Sequence, residues 1–275
     1  MMPPVRPYLA AFRARFLLML QYRAAALAGF ATQLWWGALR IMVFAAFYGA
    51  NAAAAPISFT DAVTYVWLGQ ALLALSPWVA DPEIGQAVRS GSVGYDRLRP
   101  LDAYGYWYAR TSGWMLARAL PRAVLMILAA GIVLPLVGLG DWAWRPPSGL
   151  AAALLFVPAF VLMTALGAAV MMLANIVVAA SLNERGVNAV LTPLVIVLSG
   201  SLLPLDFYPD VLRPFLHLQP LAGLVDIPFR IYFADLAGAA ALQGLALQAG
   251  WTVVLIAVGR LAMTQMMRRL EMQGG

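Results

Sequence analysis

Six stretches of the chain are almost wholly apolar, at residues 24–49, 59–80, 111–139, 150–180, 189–204 and 240–262, separated by shorter polar connections. Runs of this length with hardly any charge predict helices that cross a lipid bilayer, since about 20 apolar residues cover the hydrocarbon core. The first would reach about 39 Å at 1.5 Å per residue, enough to cross with tilt. In the third, Arg118, Pro121 and Arg122 place the opening turns at the interface and leave 123–139 as the strictly apolar part. The fifth loses its apolar character at Pro204, so it is either short or tilted inward. Ahead of the first span, residues 1–23 set Arg6, Arg13, Arg15 and Arg23 among Tyr8, Leu9, Phe12, Phe16, Leu17 and Leu20, with no acid. That pattern predicts a helix lying in the interface. A cleaved leader is not expected, because the apolar run behind it continues to Tyr48. The expected fold is an all-α membrane protein with six transmembrane helices and an amino-terminal interfacial helix, in one domain over 1–275.

Composition reinforces the pattern. The 275 residues are 63% hydrophobic and 11% charged, against about 45–50% and 25% in a soluble domain. The net charge of +6 does not point to nucleic acid. Every basic residue is Arg, spread from Arg6 to Arg269 with no cluster dense enough for a phosphate backbone. The arginines sort by side instead. Segments 1–23, 81–122, 181–188 and 263–275 hold four, six, one and two, whereas 50–58, 140–149 and 204–239 together hold only Arg145, Arg213 and Arg230. By the positive-inside rule, both termini and segment 81–110 are expected in the cytoplasm, and 204–239 outside.

Several chemistries are excluded. Without Cys, and with His217 as the single His, there is no thiolate or zinc site to build, and no metal is expected. The acids all lie in connections or at span edges, so ion-coupled transport has no intramembrane carboxylate. The spans offer only neutral polar groups such as Gln33, Gln70, Asn175 and Gln243. For nucleophilic catalysis the one pairing available is Ser199 or Ser201 with His217, and no glycine-framed serine motif surrounds it. With no Lys in the chain there is no P-loop. The chain is not expected to be an enzyme, and uphill transport would draw its energy from another chain.

The connection at 81–110 is long, mixed in charge and rich in turn formers, which predicts one or two short helices at the membrane surface. Its arginines either enforce topology and meet acidic lipid, or form a docking surface for a soluble partner. Within it, Val88-Arg89-Ser90-Gly91-Ser92-Val93-Gly94-Tyr95-Asp96-Arg97-Leu98-Arg99-Pro100-Leu101 resembles the cytoplasmic signature of ABC-2 type exporter permeases. Two further segments agree in order and spacing. Leu198 to Pro209 resembles the family's outer segment, in which Ser-Gly and Pro-Leu precede Phe-x-Pro, and Arg268 to Gly275 resembles its basic tail closing in Gly-Gly.

The resemblance implies a permease working with a second, identical or homologous permease and with cytoplasmic ATP-binding cassette ATPase subunits. The ATP and Mg belong to those ATPases, and this chain itself binds no cofactor. It assigns 81–110 as the coupling segment, with Glu83, Arg89, Gly91, Arg97, Arg99 and Pro100 as contact residues. It also implies short re-entrant outer helices within 204–239, with Pro204, Phe207 and Pro209 at an outer gate. The function it implies is ATP-driven export of an amphipathic, lipid-like or drug-like compound across a bacterial inner membrane. The alternative is an ATP-independent channel or scaffold.

Gln33, Trp36, Arg40, Gln70 and Asn175 are the candidates to face a cavity or substrate. Arg40 lies about 24 Å along the first span. It either snorkels to the outer headgroups or pairs with an outer acid, Asp206 or Asp226. Arg118 and Arg122 share a helix face with Trp114, and they either anchor inner-leaflet lipid or select an anionic cargo. Trp35, Trp36 and Trp67 lie deep enough to line a cavity, whereas Trp78 and Trp107 are expected at the interface.

Overall fold

The computed structural model describes residues 5–51, 55–98 and 100–269, and among these there are helices and turns but no strand. In chain order, α1 (Val5–Leu20) turns directly into α2 (Arg23–Asn51), and α3 (Phe59–Leu72) continues as a 3₁₀ turn over Leu73–Leu75. Then come α4 (Pro82–Arg89), a 3₁₀ turn over Ser92–Leu98, and α5 (Ala103–Leu128), which passes through a π turn into α6 (Leu134–Leu136). The remainder is α7 (Leu150–Ser181), α8 (Glu184–Leu198), α9 (Arg213–Leu218), α10 (Asp226–Tyr232) and α11 (Gly238–Arg269).

Four helical stretches are long and apolar enough to cross a membrane, namely Arg23–Ala50, Ala103–Leu136, Leu150–Ser181 and Gly238–Arg268. The expected second and fifth spans are shorter. Phe59–Leu75 is an apolar helix of the 10–17-residue class, and α8 covers about 22 Å at 1.5 Å per residue. α3 is enclosed by protein. Ala62 to Leu68 and Gln70 to Leu72 are all buried, because α2 and α5 flank it and Phe229 of α10 packs on Tyr65. A helix that is apolar all round and enclosed by protein faces a core rather than lipid. The long helices, by contrast, leave Trp35, Val43, Val124, Leu154, Val161, Val253 and Leu261 exposed, which suits lipid contact.

The third stretch differs most from expectation. Its helix begins at Ala103, inside the segment expected to be a surface connection, and runs unbroken past Arg118 and Arg122. Asp102 caps it, its Oδ2 accepting from the Gly105 N–H at 2.8 Å. Buried Tyr104 and Trp107 then pack with Met172, Ile176, Met263 and Met266 of α7 and α11. Aromatic residues spaced by Gly105 read as loop in sequence and fold as the helix's first turns.

α1 lies along α5. The two backbones meet where α5 has no side chain, since a Cβ on Gly113 would fall 2.6 Å from the Phe12 carbonyl oxygen. The main core gathers around α3, with Trp67, Met115, Met163, Leu166 and Phe229 buried together.

Candidate functional site

At the arginine-rich end, α4 and its neighbours form an ion-paired layer. Glu83, in the first turn of α4, pairs with Arg15 of α1 and with Arg110 of α5. Arg15 also reaches Asp81 at 3.4 Å. The Asp81 N–H donates to Asn175 Oδ1 of α7 at 2.8 Å, and the Ala80 N–H donates to Asn188 Oδ1 of α8 at 2.9 Å. At the other end of α4, Arg89 meets Glu184 of α8 at 2.8 Å. One carboxylate therefore ties α1 to α4 and α5, while two asparagines and a second pair tie the same segment to α7 and α8. Burial raises the Asp81 carboxyl above the ordinary carboxylate range, and Arg15, Arg110 and Arg118 oppose that rise. Burial lowers Arg15 from its usual value, with Asp81 pulling the other way.

The coupling candidates fall differently around this layer. Glu83 and Arg89 are its members. Gly91 sits at φ +72° in the turn leaving α4, a left-handed conformation that glycine adopts without strain. Pro100 is exposed just before Asp102. Arg97 belongs to the 3₁₀ turn, but its side chain, like all of Arg99 and the tail from Leu270, lies outside the described residues. Arg15, Asp81, Arg110, Asn188 and Glu184 were missed. The signal available was complementary charge at the ends of neighbouring elements.

The cavity candidates separate. Gln33 lines a cavity with Ser76, Trp78 and Arg118. Trp36 points away from the fold and is exposed, as is Trp35. Gln70 is buried where α3 crosses α2, in contact range of Gly37. Asn175 is wholly buried and holds the Asp81 backbone, so it positions the layer and faces no cavity. Trp67 is a core residue whose N–H donates to the Trp142 carbonyl at 2.7 Å. Trp107 is likewise buried. Arg40 donates to the Leu202 carbonyl at 2.7 Å and pairs with neither Asp206 nor Asp226.

Those two acids have other partners. In segment 204–239, His217 of α9 places Nε2 at 3.2 Å from Asp206 and Nδ1 at 3.1 Å from Asp226. Arg230 of α10 lies 3.8 Å from Asp206 and 3.7 Å from Asp226, and its Nη1 is 3.2 Å from His217 Nδ1, where its charge opposes that of the imidazole. Hydrogen bonds to both carboxylates push the His217 imidazole up to about 9, so it is charged at neutral pH. Asp206 is held below the usual carboxylate range, chiefly by the hydrogen bond from His217. The cluster is then neutral, two acids against two cations, which makes burial of Asp226 at 1% exposure tolerable. His217 is thereby committed to carboxylates on both nitrogens, while Ser199 bonds Ser201 at 2.9 Å. A serine–histidine nucleophile is not assembled.

The segment is anchored at its edges. Phe207 packs between Phe44 and Phe47 at the far end of α2, Pro204 is buried, and Pro209 is exposed. Buried Gln248 of α11 donates to the Gly223 carbonyl at 2.7 Å. Among the described residues no group of three or more His, Asp or Glu is placed to hold a metal.

An all-helical chain with four membrane-length apolar helices and an ion-paired layer at its arginine-rich end is a multi-pass membrane protein. Residues 34–274 match the sequence model of the ABC-2 family transporter proteins, and the chain belongs to that family. It is thus a membrane component of an ABC-2 transporter, of a family whose members are transport components without an ATPase of their own and work with ATP-binding cassette subunits. No curated protein and no solved structure matches it.

Proposed function

We propose that the chain is one of two permeases, identical or homologous, of an ATP-driven exporter in a bacterial inner membrane. In this reading both termini are cytoplasmic and α3 and α8 complete six spans as short, protein-enclosed crossings. α9 and α10 are re-entrant helices closing the outer exit, with Pro204, Phe207 and Pro209 at the gate. Segment 81–110 receives the push of an ATPase that holds the ATP and Mg. The supporting observation is the layer around Glu83. A segment tied by ion pairs and buried amide bonds to α1, α5, α7 and α8 transmits a displacement to all of them together, as hinge or shear closure requires. The exported compound is an amphipathic, lipid-like or drug-like molecule, since the spans are aliphatic and aromatic with few charges.

The test is purification of the full chain in mild detergent with its genomic neighbours co-expressed. An ATP-binding subunit is expected to co-elute, and Arg97→Glu with Arg99→Glu is expected to weaken that association or uncouple hydrolysis. Recovery of the bare chain under conditions that keep known complexes intact would point instead to an ATP-independent channel or scaffold.

A further inference from the structure

A second polar site lies at the arginine-rich end where α2, α5 and α7 meet the segment that follows α3, and neither the ion pairs of the Glu83 layer nor the His217 cluster occupies it. A cavity of about 120 Å³ there is lined by Gln33, Ser76, Trp78, Trp114, Arg118 and Arg122. At about 30 Å³ per water molecule, it holds a few waters or one phosphate or carboxylate head, and not a whole lipid.

Its chemistry is one-sided. The Arg118 guanidinium stacks 4.3 Å over Trp114. Arg122 reaches the Ala25 carbonyl at 3.4 Å. Among the described residues neither has a carboxylate within salt-bridge distance. The acid whose charge Arg118 feels is Asp81, and Asp81 is taken up by Arg15. Arg122 is seated against α2 at Gly29, where a Cβ would collide with the guanidinium. Three buried atoms of the lining have no hydrogen-bond partner, namely Trp78 Nε1, Arg122 Nε and Gln33 Oε1, and Gln33 is only 4% exposed. Buried donors and acceptors are ordinarily satisfied. Two cations, an indole N–H and one amide acceptor together suit an anion that also carries a hydroxyl. Val79 lines the same cavity and is exposed, giving it an apolar rim.

We propose that this cavity binds the anionic head of an amphiphile, a phosphate or a carboxylate. Arg118 and Arg122 are its counter-charges, Trp78 is a neutral donor, and the tail leaves past Val79. Binding stands independently of the export reading. Assignment of the head to the exported compound rests on it.

The experiment uses the full chain in detergent micelles, with energy transfer from tryptophan to dansyl-labelled phosphatidic acid and, separately, dansyl-labelled phosphatidylcholine. Phosphatidic acid is expected to bind about tenfold tighter or more, as hydrogen bonds to a charged group are the strong ones. Arg118→Gln with Arg122→Gln is expected to remove that preference. Two gentler variants keep the test decisive if the double variant does not fold. Trp78→Phe keeps the ring and loses the N–H, and Gly29→Ala unseats Arg122 without changing charge. Each is expected to weaken phosphatidic acid binding by about three- to tenfold while the melting temperature stays near wild type. Equal binding of the two probes, or wild-type binding by both gentler variants, overturns the proposal. With the ATPase subunit and ATP added, release of the probe marks a transported head and retention marks a resident lipid, and both support the site. Loss of the ATPase partner would refute export and leave the binding measurement intact.

Discussion

Replacing His217 with Gln tests the outer cluster through its dependence on pH. His217 is the only His, and the chain has no Cys, so no other side chain ordinarily titrates between pH 6 and 9. In the fold its value rises from the usual 6.5 to about 9. At 1.36 kcal/mol per unit, the charged imidazole contributes roughly 3 kcal/mol. Little is discounted for solvent, because the side chain is 24% exposed and Asp226 only 1%. A raised value stabilises fully below the unfolded value, and the stabilisation fades as pH climbs from about 6.5 through 9. Above that, the cluster holds two carboxylates against Arg230 alone. The full chain in detergent, melted under intrinsic fluorescence from pH 5.5 to 9.5, is expected to lose roughly 6–12 °C across that window. His217→Gln keeps hydrogen bonding without titrating. It is expected to melt low at pH 6 and to change little thereafter. Equal pH slopes in wild type and variant would refute the account. At the acid end the sign reverses. Asp206 is held low, so its contribution is present above 3.8 and is lost as pH falls through its depressed value.

Arg15→Met leaves Asp81 buried without its nearest cation, and is expected to destabilise by about 3 kcal/mol, read as a lowered melting temperature. Asp81→Asn in the Arg15→Met background should recover part of that loss. Gly113→Leu drives a side chain into the Phe12 carbonyl and is expected to lift α1 from α5, costing about 1–3 kcal/mol. Loss of cysteine crosslinking between engineered positions on the two helices reports it. Arg40→Glu is expected to impair the protein, and neither Asp206→Arg nor Asp226→Arg should rescue it, because Arg40 bonds the Leu202 carbonyl. Rescue by either, read as a recovered melting temperature of the full chain in detergent, would restore the ion-pair account.

The long helices were legible because lipid-facing surfaces write themselves as unbroken apolar runs. α2, α7 and α11 begin and end within a few residues of expectation, apart from the inner extension of α11 to Arg269. α3 was legible as apolar, yet its enclosure was not, since hydropathy records what a side chain avoids and not which neighbour covers it. The first turns of α5 were hidden by aromatic residues, whose partners Met172 and Met263 lie far along the chain. The same limit governs the site. Glu83 was singled out from a resemblance, but its partners Arg15 and Arg110 come from elements 68 and 27 residues away. Arg40 was recognised as an intramembrane charge, while its carbonyl partner carries no signal in side-chain composition. Asp206, His217, Asp226 and Arg230 are four unremarkable polar residues until two short helices and a 3₁₀ turn fold them together.

The enclosure of α3 also orders the birth of the molecule. Its covering residues arrive late in synthesis. Met115 and Leu166 follow it in the chain, and Phe229, which packs edge-on against Tyr65 at 5.0 Å, emerges last of the three. Until then, a helix too short to match the bilayer and bearing Gln70 must wait without its final neighbours. A ribosome stalled before α10 would present it to the insertion machinery as a segment with no settled place, and to quality-control proteases as an unfinished one.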